Sequence, residues 1–511
     1  MLSSIGGIPY EAAKRYGDKI ALVLPGRTLS YNELEGLTNR CANALISLGV
    51  KHGDRVTLYS GNCWEWIVSY YGALKMGAVI NPINVMLTPT EVEFVANDCG
   101  AAIVIASHEK AVSIQNVKET SQVKDLIAFG SEALPAGILS FNEMLADSSD
   151  DYKIGDIDTD SLSTICYTSG TTGFPKGAAL SHHSILLNIA LTTLMHQRNE
   201  QDTGVTALPC AHVYGNVVMS AAIQYGMTLV IHAMFEETAI MQSIQDHKAT
   251  LFDGVPTMYM FMLNHPELDN YDLSSLRCCT VGGQTMPKPK MEEVEQRFGC
   301  PMIEVWGMTE LGGLGTTFAA NGPVKHGSIG VGLPYTDVRI ADAEDASKTM
   351  LSGEVGELMV KGGTVMQGYY GNEQATRDTI EADGWLHTGD LASMDEDGCI
   401  FIVDRKKDMI LTSGFNVYPA EIERVVAGHP DVALVAVGSI PDEIKGELAK
   451  AYIVPKKGVS PNSQSIIDYC RERMAAYKVP RAVQFVHDLP KTSTGKVMRR
   501  ELKTLDIDAG T

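Results

Sequence analysis

The 511-residue chain lacks several features that would place it in a specialised class of protein. It carries 41 Lys and Arg against 62 Asp and Glu, which leaves a net charge of −21. An extended nucleic-acid surface needs clustered Lys and Arg, so this balance argues against a nucleic-acid partner. The ten cysteines include no Cys-x-x-Cys pair. Their pattern predicts reduced, buried thiols and no metal site built from cysteine and histidine.

The sequence also predicts no targeting signal and no membrane-spanning segment. The first residues reach Glu11 and Lys14 without the apolar core of a signal peptide, and residues 508–511 match no retention or peroxisomal address. The most apolar stretch, residues 215–235, is interrupted by polar side chains. We therefore expect a cytoplasmic protein without a membrane span, in which this stretch forms a buried helix followed by a strand.

The composition is that of an ordinary globular protein, and the length predicts several compact units. Hydrophobic residues make up 45% of the chain and charged residues 20%. A chain of 511 residues is too long for one core and predicts two to four units.

Short apolar strands alternate with amphipathic helices from the start of the chain to about residue 326. The predicted helices lie at residues 31–48 and 64–76. The predicted strands lie at residues 20–23, 56–59, 101–105, 162–167, 249–252, 278–281 and 302–305. This alternation predicts a layered α/β architecture with a mostly parallel sheet.

The pattern changes twice in the last third of the chain. Strands bounded by Gly and Pro at residues 327–403 predict a small β-rich unit, and mixed elements return afterwards, including a helix at residues 463–476. No repeat or low-complexity linker separates them, so we expect a short hinge near residue 404. The expected fold is α/β: a large N-terminal domain, 1–403, of layered α/β subdomains plus a β-rich subdomain, and a small α+β C-terminal domain, 404–511.

The most informative segment runs from Thr168 to Gly177. It contains three glycines and four hydroxyl residues after an apolar strand, and it precedes a candidate helix start at residues 181–184. Free backbone N–H groups and the Lys176 ammonium suit a polyphosphate. Pro175 stands where the common P-loop has its second glycine, so the segment is not that motif. Such stretches also form plain surface turns, and the spacing alone leaves both interpretations open.

Four further segments carry groups suited to a phosphate-handling site. Residues 304–311 end a strand with a hydroxyl and a carboxylate, which suit a phosphate oxygen and Mg²⁺. Residues 384–391 place a carboxylate in a predicted turn, residues 404–410 form a charged break between strands, and residues 490–500 carry a lysine beside a glycine. Singly, each has a structural interpretation as a turn cap, helix start, solvated charge run or frayed tail. Their combination and order favour function.

This ordered set of segments resembles the adenylate-forming superfamily of acyl-CoA synthetases, firefly luciferases and peptide-synthetase adenylation domains. The resemblance extends from Tyr31 to Arg500, essentially the whole chain. It implies that a carboxylate attacks the α-phosphate of Mg·ATP to give acyl-AMP and pyrophosphate. A mobile C-terminal domain then rotates, and the thiol of coenzyme A displaces AMP. The implied cofactors are ATP, Mg²⁺ and coenzyme A.

The resemblance also implies roles for matching residues. The residues expected to cradle the β- and γ-phosphates are Thr168, Ser169, Gly170, Thr171, Thr172, Gly173 and Lys176. The expected catalytic residues are Lys176, Thr309 at the α-phosphate, Glu310 at Mg²⁺ and Lys496 between the carboxylate and the α-phosphoryl oxygens. The residues expected at adenine and ribose are Gly282, Gly283, Gln284, Trp306, Asp390 and Arg405. The residues expected at the hinge and the pantetheine tunnel are Lys407 and Gly414.

The acyl pocket is the least determined part of this assignment. The residues expected to line it are His212, Tyr214, Gly215, Val217, Val255, Gly307 and Met308. The resemblance implies that Gly307 leaves room for an acyl group larger than acetate, and that His212 replaces the Asp of amino-acid-activating relatives. An apolar lining favours a medium- or long-chain fatty acid. An aryl or phenylpropenoid acid of the benzoate, cinnamate or ferulate type is the alternative, and His212 as a core histidine also stays open.

Other functions fit the sequence less well. Ligases that pass the acyl group to a carrier protein usually have an insertion near the hinge, and residues 391–430 contain none. A luciferase-like oxygenase is a second rival. A catalytically silent acyl-nucleotide-binding protein would be expected to lack Lys496, Glu310 or Asp390, and all three are present. The expected partners are a small carboxylic acid, ATP and coenzyme A, and the oligomeric state stays open, a homodimer included.

The role implied for Lys496 gives a test that separates the two half-reactions. Lys496→Ala is expected to depress pyrophosphate formation, because the cation that meets the developing charge is lost. The same variant should still convert supplied acyl-AMP to acyl-CoA. Equal loss of both half-reactions would contradict the assignment.

Overall fold

The computed structural model describes residues 2–130, 132–168, 175–412, 415–442, 445–492 and 497–506. Seven predicted site residues lie outside these ranges, namely Ser169, Gly170, Thr171, Thr172, Gly173, Gly414 and Lys496. Their roles stay predictions.

The strands follow one another along the whole described chain. In chain order they are β1 (Ile20–Leu24), β2 (Arg27–Ser30), β3 (Arg55–Tyr59), β4 (Val79–Pro82), β5 (Ala101–Ser107), β6 (Asp125–Phe129), β7 (Ile138–Ser140), β8 (Leu162–Thr168), β9 (Lys176–Ser181), β10 (Thr203–Thr206), β11 (Thr228–Ile231), β12 (Leu251–Gly254), β13 (Cys278–Gly282), β14 (Met302–Met308), β15 (Gly313–Thr317), β16 (Val331–Gly332), β17 (Thr336–Ala341), β18 (Gly356–Gly362), β19 (Gly368–Tyr369), β20 (Leu386–Met394), β21 (Ile400–Arg405), β22 (Ile410–Thr412), β23 (Phe415–Val417), β24 (Val432–Asp442), β25 (Gly446–Pro455) and β26 (Ala482–Phe485).

The helices lie mainly between the strands that run from β1 to β14. They are α1 (Ile8–Tyr16), α2 (Tyr31–Ser47), α3 (Trp64–Lys75), α4 (Pro89–Asp98), α5 (His108–Ser113), α6 (Val117–Thr120), α7 (Phe141–Ala146), α8 (His182–His196), α9 (Val213–Gln224), α10 (Glu237–His247), α11 (Pro256–Leu263), α12 (Lys288–Phe298), α13 (Glu373–Thr379), α14 (Pro419–Val426) and α15 (Ser463–Arg471). Short 3-10 helices occupy Ile5–Gly7, Leu268–Asn270, Thr309–Leu311 and Arg499–Asp506.

Side-chain caps explain where two of the predicted helices begin. The Ser30 hydroxyl accepts a hydrogen bond from the Glu33 backbone N–H at 3.2 Å, and the Glu33 carboxylate accepts one from the Ser30 N–H at 2.8 Å. This reciprocal pair starts α2. At α8, the Ser181 hydroxyl accepts a hydrogen bond from the Ser184 N–H at 3.0 Å, so the helix start predicted at residues 181–184 is confirmed.

Two large, mostly parallel sheets form the bulk of the described structure. In the first, of nine strands among the described residues, the order is β16-β15-β14-β13-β12-β10-β11-β1-β2. In the second, of eight, it is β19-β9-β8-β4-β3-β5-β6-β7. The α/β prediction is therefore confirmed. The two sheets are not consecutive in sequence, because β1 of the first sheet pairs with β11 and the second sheet is built largely from the chain between them.

The β-rich unit predicted at residues 327–403 is present but smaller than expected. Strands β17, β18, β20 and β21 form an antiparallel sheet. Within the predicted range, β16 pairs with β15 of the first large sheet and β19 pairs with β9 of the second. Backbone pairing thus carries Tyr369, the last residue of β19, into the second large sheet.

A smaller α+β unit follows β21. Strands β22 to β26 form its sheet, and helices α14 and α15 pack together beside it. The helix predicted at residues 463–476 ends earlier, at Arg471, because the chain tightens there: the Arg473 N–H bonds to the carbonyl three residues back, that of Cys470. Between β21 and β22 lies the predicted hinge residue Lys407, and both the domain boundary and the hinge stay predictions.

Asp404 links the segments on either side of this predicted hinge. One oxygen accepts a hydrogen bond from the Ala420 N–H at the start of α14, at 2.7 Å, and the other lies 2.8 Å from the Arg499 guanidinium. Arg499 also pairs with Glu423 at 2.6 Å and with Asp408 at 3.3 Å. Burial raises the pKa of Asp404, and the Arg499 charge opposes that shift. The partners therefore offset only part of the cost of burying this carboxylate.

The stretch at residues 215–235 behaves as predicted. It forms most of α9, whose middle is fully buried, and then strand β11. Within the described ranges, every helix is too short or too polar to reach across a bilayer.

Candidate active site

Thr168 and Lys176 face each other at the end of an antiparallel hairpin formed by β8 and β9. The Thr168 hydroxyl donates a hydrogen bond to the Lys176 carbonyl at 3.4 Å. The chain between them includes residues 169–174, which lie outside the described residues. The predicted phosphate loop therefore starts and ends on two adjoining strands, and β9 separates it from α8.

Thr309 and Glu310 lie in a 3-10 turn that follows β14. Gly312 ends this turn with a φ of 63°, a conformation that favours glycine. The buried side chain of Asn188 in α8 forms hydrogen bonds to the backbone of this turn. Its amide donates to the carbonyls of Leu311 and Leu314 at 3.2 and 2.8 Å and accepts from the Leu314 N–H at 3.1 Å. Asn188 thus holds the segment that presents the two predicted catalytic residues.

The buried carboxylate of Glu310 contacts a residue that the sequence did not single out. Tyr369 donates its phenolic hydrogen to Glu310 Oε1 at 2.7 Å, and Lys176 Nζ lies 5.2 Å from the centre of the Tyr369 ring. Burial, together with the negative charge of Glu310, raises the pKa of Tyr369, so its hydroxyl stays a donor at neutral pH. A carboxylate beside a threonine hydroxyl fits Mg²⁺, which prefers oxygen ligands and usually shares them with substrate phosphates.

Trp306 and Arg405 both contact the carboxylate of Asp390. The Trp306 indole N–H donates to Oδ2 at 2.8 Å, and Arg405 Nε lies 3.2 Å from Oδ1. The prediction that Asp390 lies in a turn is wrong. It lies inside β20 directly opposite Arg405 of β21, because backbone pairing with β21 extends to this position.

Gly282, Gly283 and Gln284 lie where β13 ends, and β14 runs beside it in parallel. The Gly282 position is closely packed, since a Cβ there would lie 2.5 Å from a methyl of Val305. Ligands of parallel α/β sheets bind beyond the carboxyl ends of the strands. The predicted adenine-binding segment therefore has the position that such a ligand needs.

A cavity of about 460 Å³ lies next to the Thr309 turn. Most of its wall is apolar. Its lining residues are Ser60, Gly61, Asn62, Pro82, Asn84, Val85, Met86, Cys166, Tyr167, Ala207, Pro209, Ala211, His212, Val213, Ala233, Met234, Phe235, Val255, Thr257, Met258, Phe261, Thr309, Lys491 and Thr492. Two predicted pocket residues, His212 and Val255, are among them.

The five other predicted pocket residues are not among these lining residues, and packing explains two of them. The Tyr214 hydroxyl lies 2.6 Å from the Thr280 hydroxyl in a buried polar network that continues to Asp253 and Arg198. At Gly307, a Cβ would lie 2.1 Å from the carbonyl oxygen of Gly313, so a side chain there would collide with backbone. The remaining three are Gly215, Val217 and Met308. The acyl-pocket roles of these five residues stay predictions.

The C-terminal unit contributes Lys491 and Thr492 to the cavity wall. Lys491 pairs with Val497 in an antiparallel bridge, and the Met498 N–H donates to the Pro490 carbonyl at 2.8 Å. These contacts hold together the two ends of the segment in which Lys496 occurs. Lys491 Nζ also lies 5.7 Å from the ring centre of Phe261.

Sequence reasoning missed Asn188, Tyr369 and Lys491. Asn188 lies in an apolar helix. A single amide side chain in such a helix indicates only weakly that it makes a buried structural contact. Tyr369 follows a glycine in a short strand, and nothing nearby in the sequence points to Glu310. Lys491 lies in the predicted segment 490–500, in which the resemblance assigns a role only to Lys496.

Asn188→Ala tests the support of the Thr309–Glu310 turn. The variant leaves buried carbonyl and N–H groups without partners, so we expect a loss of about 2 kcal/mol of stability and weaker ATP binding. Urea unfolding and ATP titration measure the two effects. The matched control is Asn264→Ala, because the Asn264 amide contacts a helix carbonyl at an exposed site; there we expect a loss below about 0.5 kcal/mol. Wild-type stability for Asn188→Ala would contradict its supporting role.

Comparison with known proteins agrees with this geometry. A family model described as AMP-binding enzyme matches residues 10–370, and one described as AMP-binding enzyme C-terminal domain matches residues 421–496. The chain is 34% identical over 520 residues to a long-chain-fatty-acid–CoA ligase of Bacillus subtilis (strain 168), covering 96% of this chain and 92% of that protein. It is 33% identical over 501 residues to a feruloyl-CoA synthase of Amycolatopsis sp, covering 98% of each.

A solved structure shares the fold over nearly the full length. The anthranilate CoA ligase AuaEII in complex with anthranoyl-AMP superposes with a TM-score of 0.93 at 28% identity, covering 99% of this chain and 98% of that chain. The family models span most of the sequence, and the similarity to the two relatives extends along almost all of it. The chain therefore belongs to the AMP-binding enzyme family, and it is an acid–thiol ligase that joins an acid to coenzyme A.

Proposed function

We propose that the chain activates a medium- or long-chain fatty acid as acyl-AMP, releases pyrophosphate, and transfers the acyl group to coenzyme A. The apolar cavity of about 460 Å³ beside Thr309 carries this proposal. Its volume is in the range of small-molecule sites, and most of its wall is apolar, as a hydrocarbon chain requires. The carboxylate end of the acid would lie at Thr309.

The exposed rim of the cavity favours a chain over a compact acid. Met234 is 82% exposed, Met86 55% and Phe261 44%, although each also lines the cavity. Apolar surface therefore continues from the cavity outward, where the distal methylenes of a longer chain would contact it. Methionine is flexible and polarizable, so this rim adapts to chains of different length.

The nucleotide half of the proposed reaction relies on charges that surround the triphosphate. Lys176 supplies a cation at the phosphate hairpin, and the Asp390 carboxylate, oriented by Trp306 and Arg405, would accept the ribose hydroxyls. Glu310 would hold Mg²⁺, and the ion would neutralise charge on the phosphate oxygens. These residues act by holding two anions in line, since preorganised charge lowers the barrier of such a reaction.

The thioester half-reaction depends on the predicted boundary and hinge. We propose that residues 404–511 turn about Lys407, which removes Lys496 from the site and brings Gly414 to the pantetheine tunnel. Asp404 precedes Lys407 in the chain, so its contacts with Ala420 and Arg499 span the predicted hinge. Domain rotation would have to break them or carry them along.

An aryl acid is the second candidate, because the cavity wall also contains aromatic rings. The centres of the Phe235 and Phe261 rings lie 6.3 Å apart, a distance at which a third ring could pack against them. A feruloyl-CoA synthase is among the relatives. The two candidates differ in the acid and share the chemistry.

A panel of acids distinguishes these candidates. ATP-dependent pyrophosphate release is measured with acetate, octanoate, palmitate, benzoate, cinnamate and ferulate, each with and without coenzyme A. We expect a signal that coenzyme A stimulates with octanoate or palmitate, because their chains fill the apolar cavity. A maximum at cinnamate or ferulate would move the assignment to aryl acids, and silence with every acid would contradict the proposed substrate classes.

The rim gives a sharper test of chain length. Met234→Lys places a charge where the end of a long chain would lie, so kcat/KM for palmitate should fall about tenfold, equivalent to losing the burial of roughly two methylene groups. The value for octanoate should change less than about twofold. Leu351→Lys is the control, because Leu351 is 73% exposed and is not one of the cavity-lining residues. Equal changes for both acids would contradict a chain that reaches the rim.

A further inference from the structure

Tyr369 lies between two charged groups that the proposed reaction needs. Its hydroxyl donates to Glu310 Oε1 at 2.7 Å, and its ring faces Lys176 Nζ at 5.2 Å. Glu310 is 7% exposed, so its carboxylate has little access to water that could orient it instead. One side chain therefore contacts both the predicted metal-binding carboxylate and the predicted phosphate-binding ammonium.

Backbone hydrogen bonds fix the position of Tyr369. Strand β19 pairs with β9, with Tyr369 opposite Ala178, and the Tyr370 N–H donates to the Gly177 carbonyl at 2.7 Å. At the other end of the segment, the Met366 N–H donates to the Glu310 carbonyl at 2.8 Å. The segment is thus fastened to the strand that carries Lys176 and to the turn that carries Glu310. Its geometry depends little on the Tyr369 side chain itself.

We propose that Tyr369 is a positioning residue of the Mg·ATP site. Its hydroxyl orients the Glu310 carboxylate toward the metal, and its ring holds the Lys176 ammonium next to the triphosphate. This inference rests on the proposed ATP-dependent function and adds to it a specific link between the metal and phosphate sides. The two contacts use different atoms of one residue, so they can be removed one at a time.

Tyr369→Phe removes the hydroxyl and keeps the ring. ATP affinity is measured by calorimetry twice, with Mg²⁺ and with the metal chelated, and no acid is added. The affinity for Mg·ATP should fall about 10- to 100-fold, the usual effect of losing a hydrogen-bond partner of a metal ligand. The affinity for metal-free ATP should stay within about twofold, because the ring still contacts Lys176. A thermal unfolding curve checks that the variant is folded.

Tyr369→Leu removes the ring as well. Metal-free ATP affinity should then also fall, by about two- to fivefold, the range of an exposed cation–π contact. Tyr370→Phe is the matched control, since this neighbouring tyrosine packs against a cluster of buried side chains that includes Val104 and Ile165, and its backbone makes the contact to Gly177. Neither ATP affinity should change in that variant.

A double-mutant cycle with Glu310→Gln tests the coupling between the two residues. If the Tyr369 hydroxyl acts through the Glu310 carboxylate, Tyr369→Phe should cost little further Mg·ATP affinity once Glu310 is Gln. Fully additive effects of the two substitutions on Mg·ATP affinity would overturn the assignment. An unchanged Mg·ATP affinity in Tyr369→Phe, or an equal loss of ATP affinity with and without Mg²⁺, would also overturn it. A wild type that binds no ATP with or without Mg²⁺ would instead contradict the proposed function, so the two failures are distinguishable.

Discussion

The position of the C-terminal unit beside the cavity depends on the contacts of the Asp404 carboxylate. The carboxylate binds the Ala420 N–H with one oxygen and the Arg499 guanidinium with the other, so it joins the end of the small antiparallel sheet to two parts of the C-terminal unit. Arg499 follows shortly after Val497, which pairs with Lys491 at the cavity wall. Because a buried charge is costly without its partners, this cluster favours one arrangement of the chain, in which residues of the C-terminal unit help to enclose the cavity.

Within that arrangement, the sheets bring polar groups from distant parts of the sequence to one region. The β8–β9 hairpin supplies Lys176, the turn after β14 supplies Thr309 and Glu310, and β20 supplies Asp390. The two carboxylates among them are held by neighbouring side chains: Glu310 by Tyr369, and Asp390 by Trp306 and Arg405. An acid and a nucleotide are both anions, so a site that joins them needs this kind of prearranged charge.

Much of this organisation could be predicted, because the informative residues are contiguous. The segment 304–311 occupies one strand and one turn, and the alternation of strands and helices gave the α/β class. The missed residues act across long stretches of sequence: Tyr369 contacts Glu310 across 59 residues, and Asn188 contacts Leu314 across 126. The contact of the Tyr214 hydroxyl with Thr280 is of the same kind, since a local pattern cannot reveal a partner 66 residues away.

The proposed reaction forms an acyl-adenylate and then transfers the acyl group to coenzyme A. The direct measurement is a single-turnover reaction with ATP labelled at the α-phosphate and the best acid of the panel, first without coenzyme A and then with it added. We expect a labelled, enzyme-bound acyl-AMP that persists until coenzyme A is added and then yields labelled AMP and acyl-CoA. Formation of labelled ADP would contradict this reaction. So would a parallel reaction in which acyl-AMP is supplied and is not consumed while acyl-CoA forms.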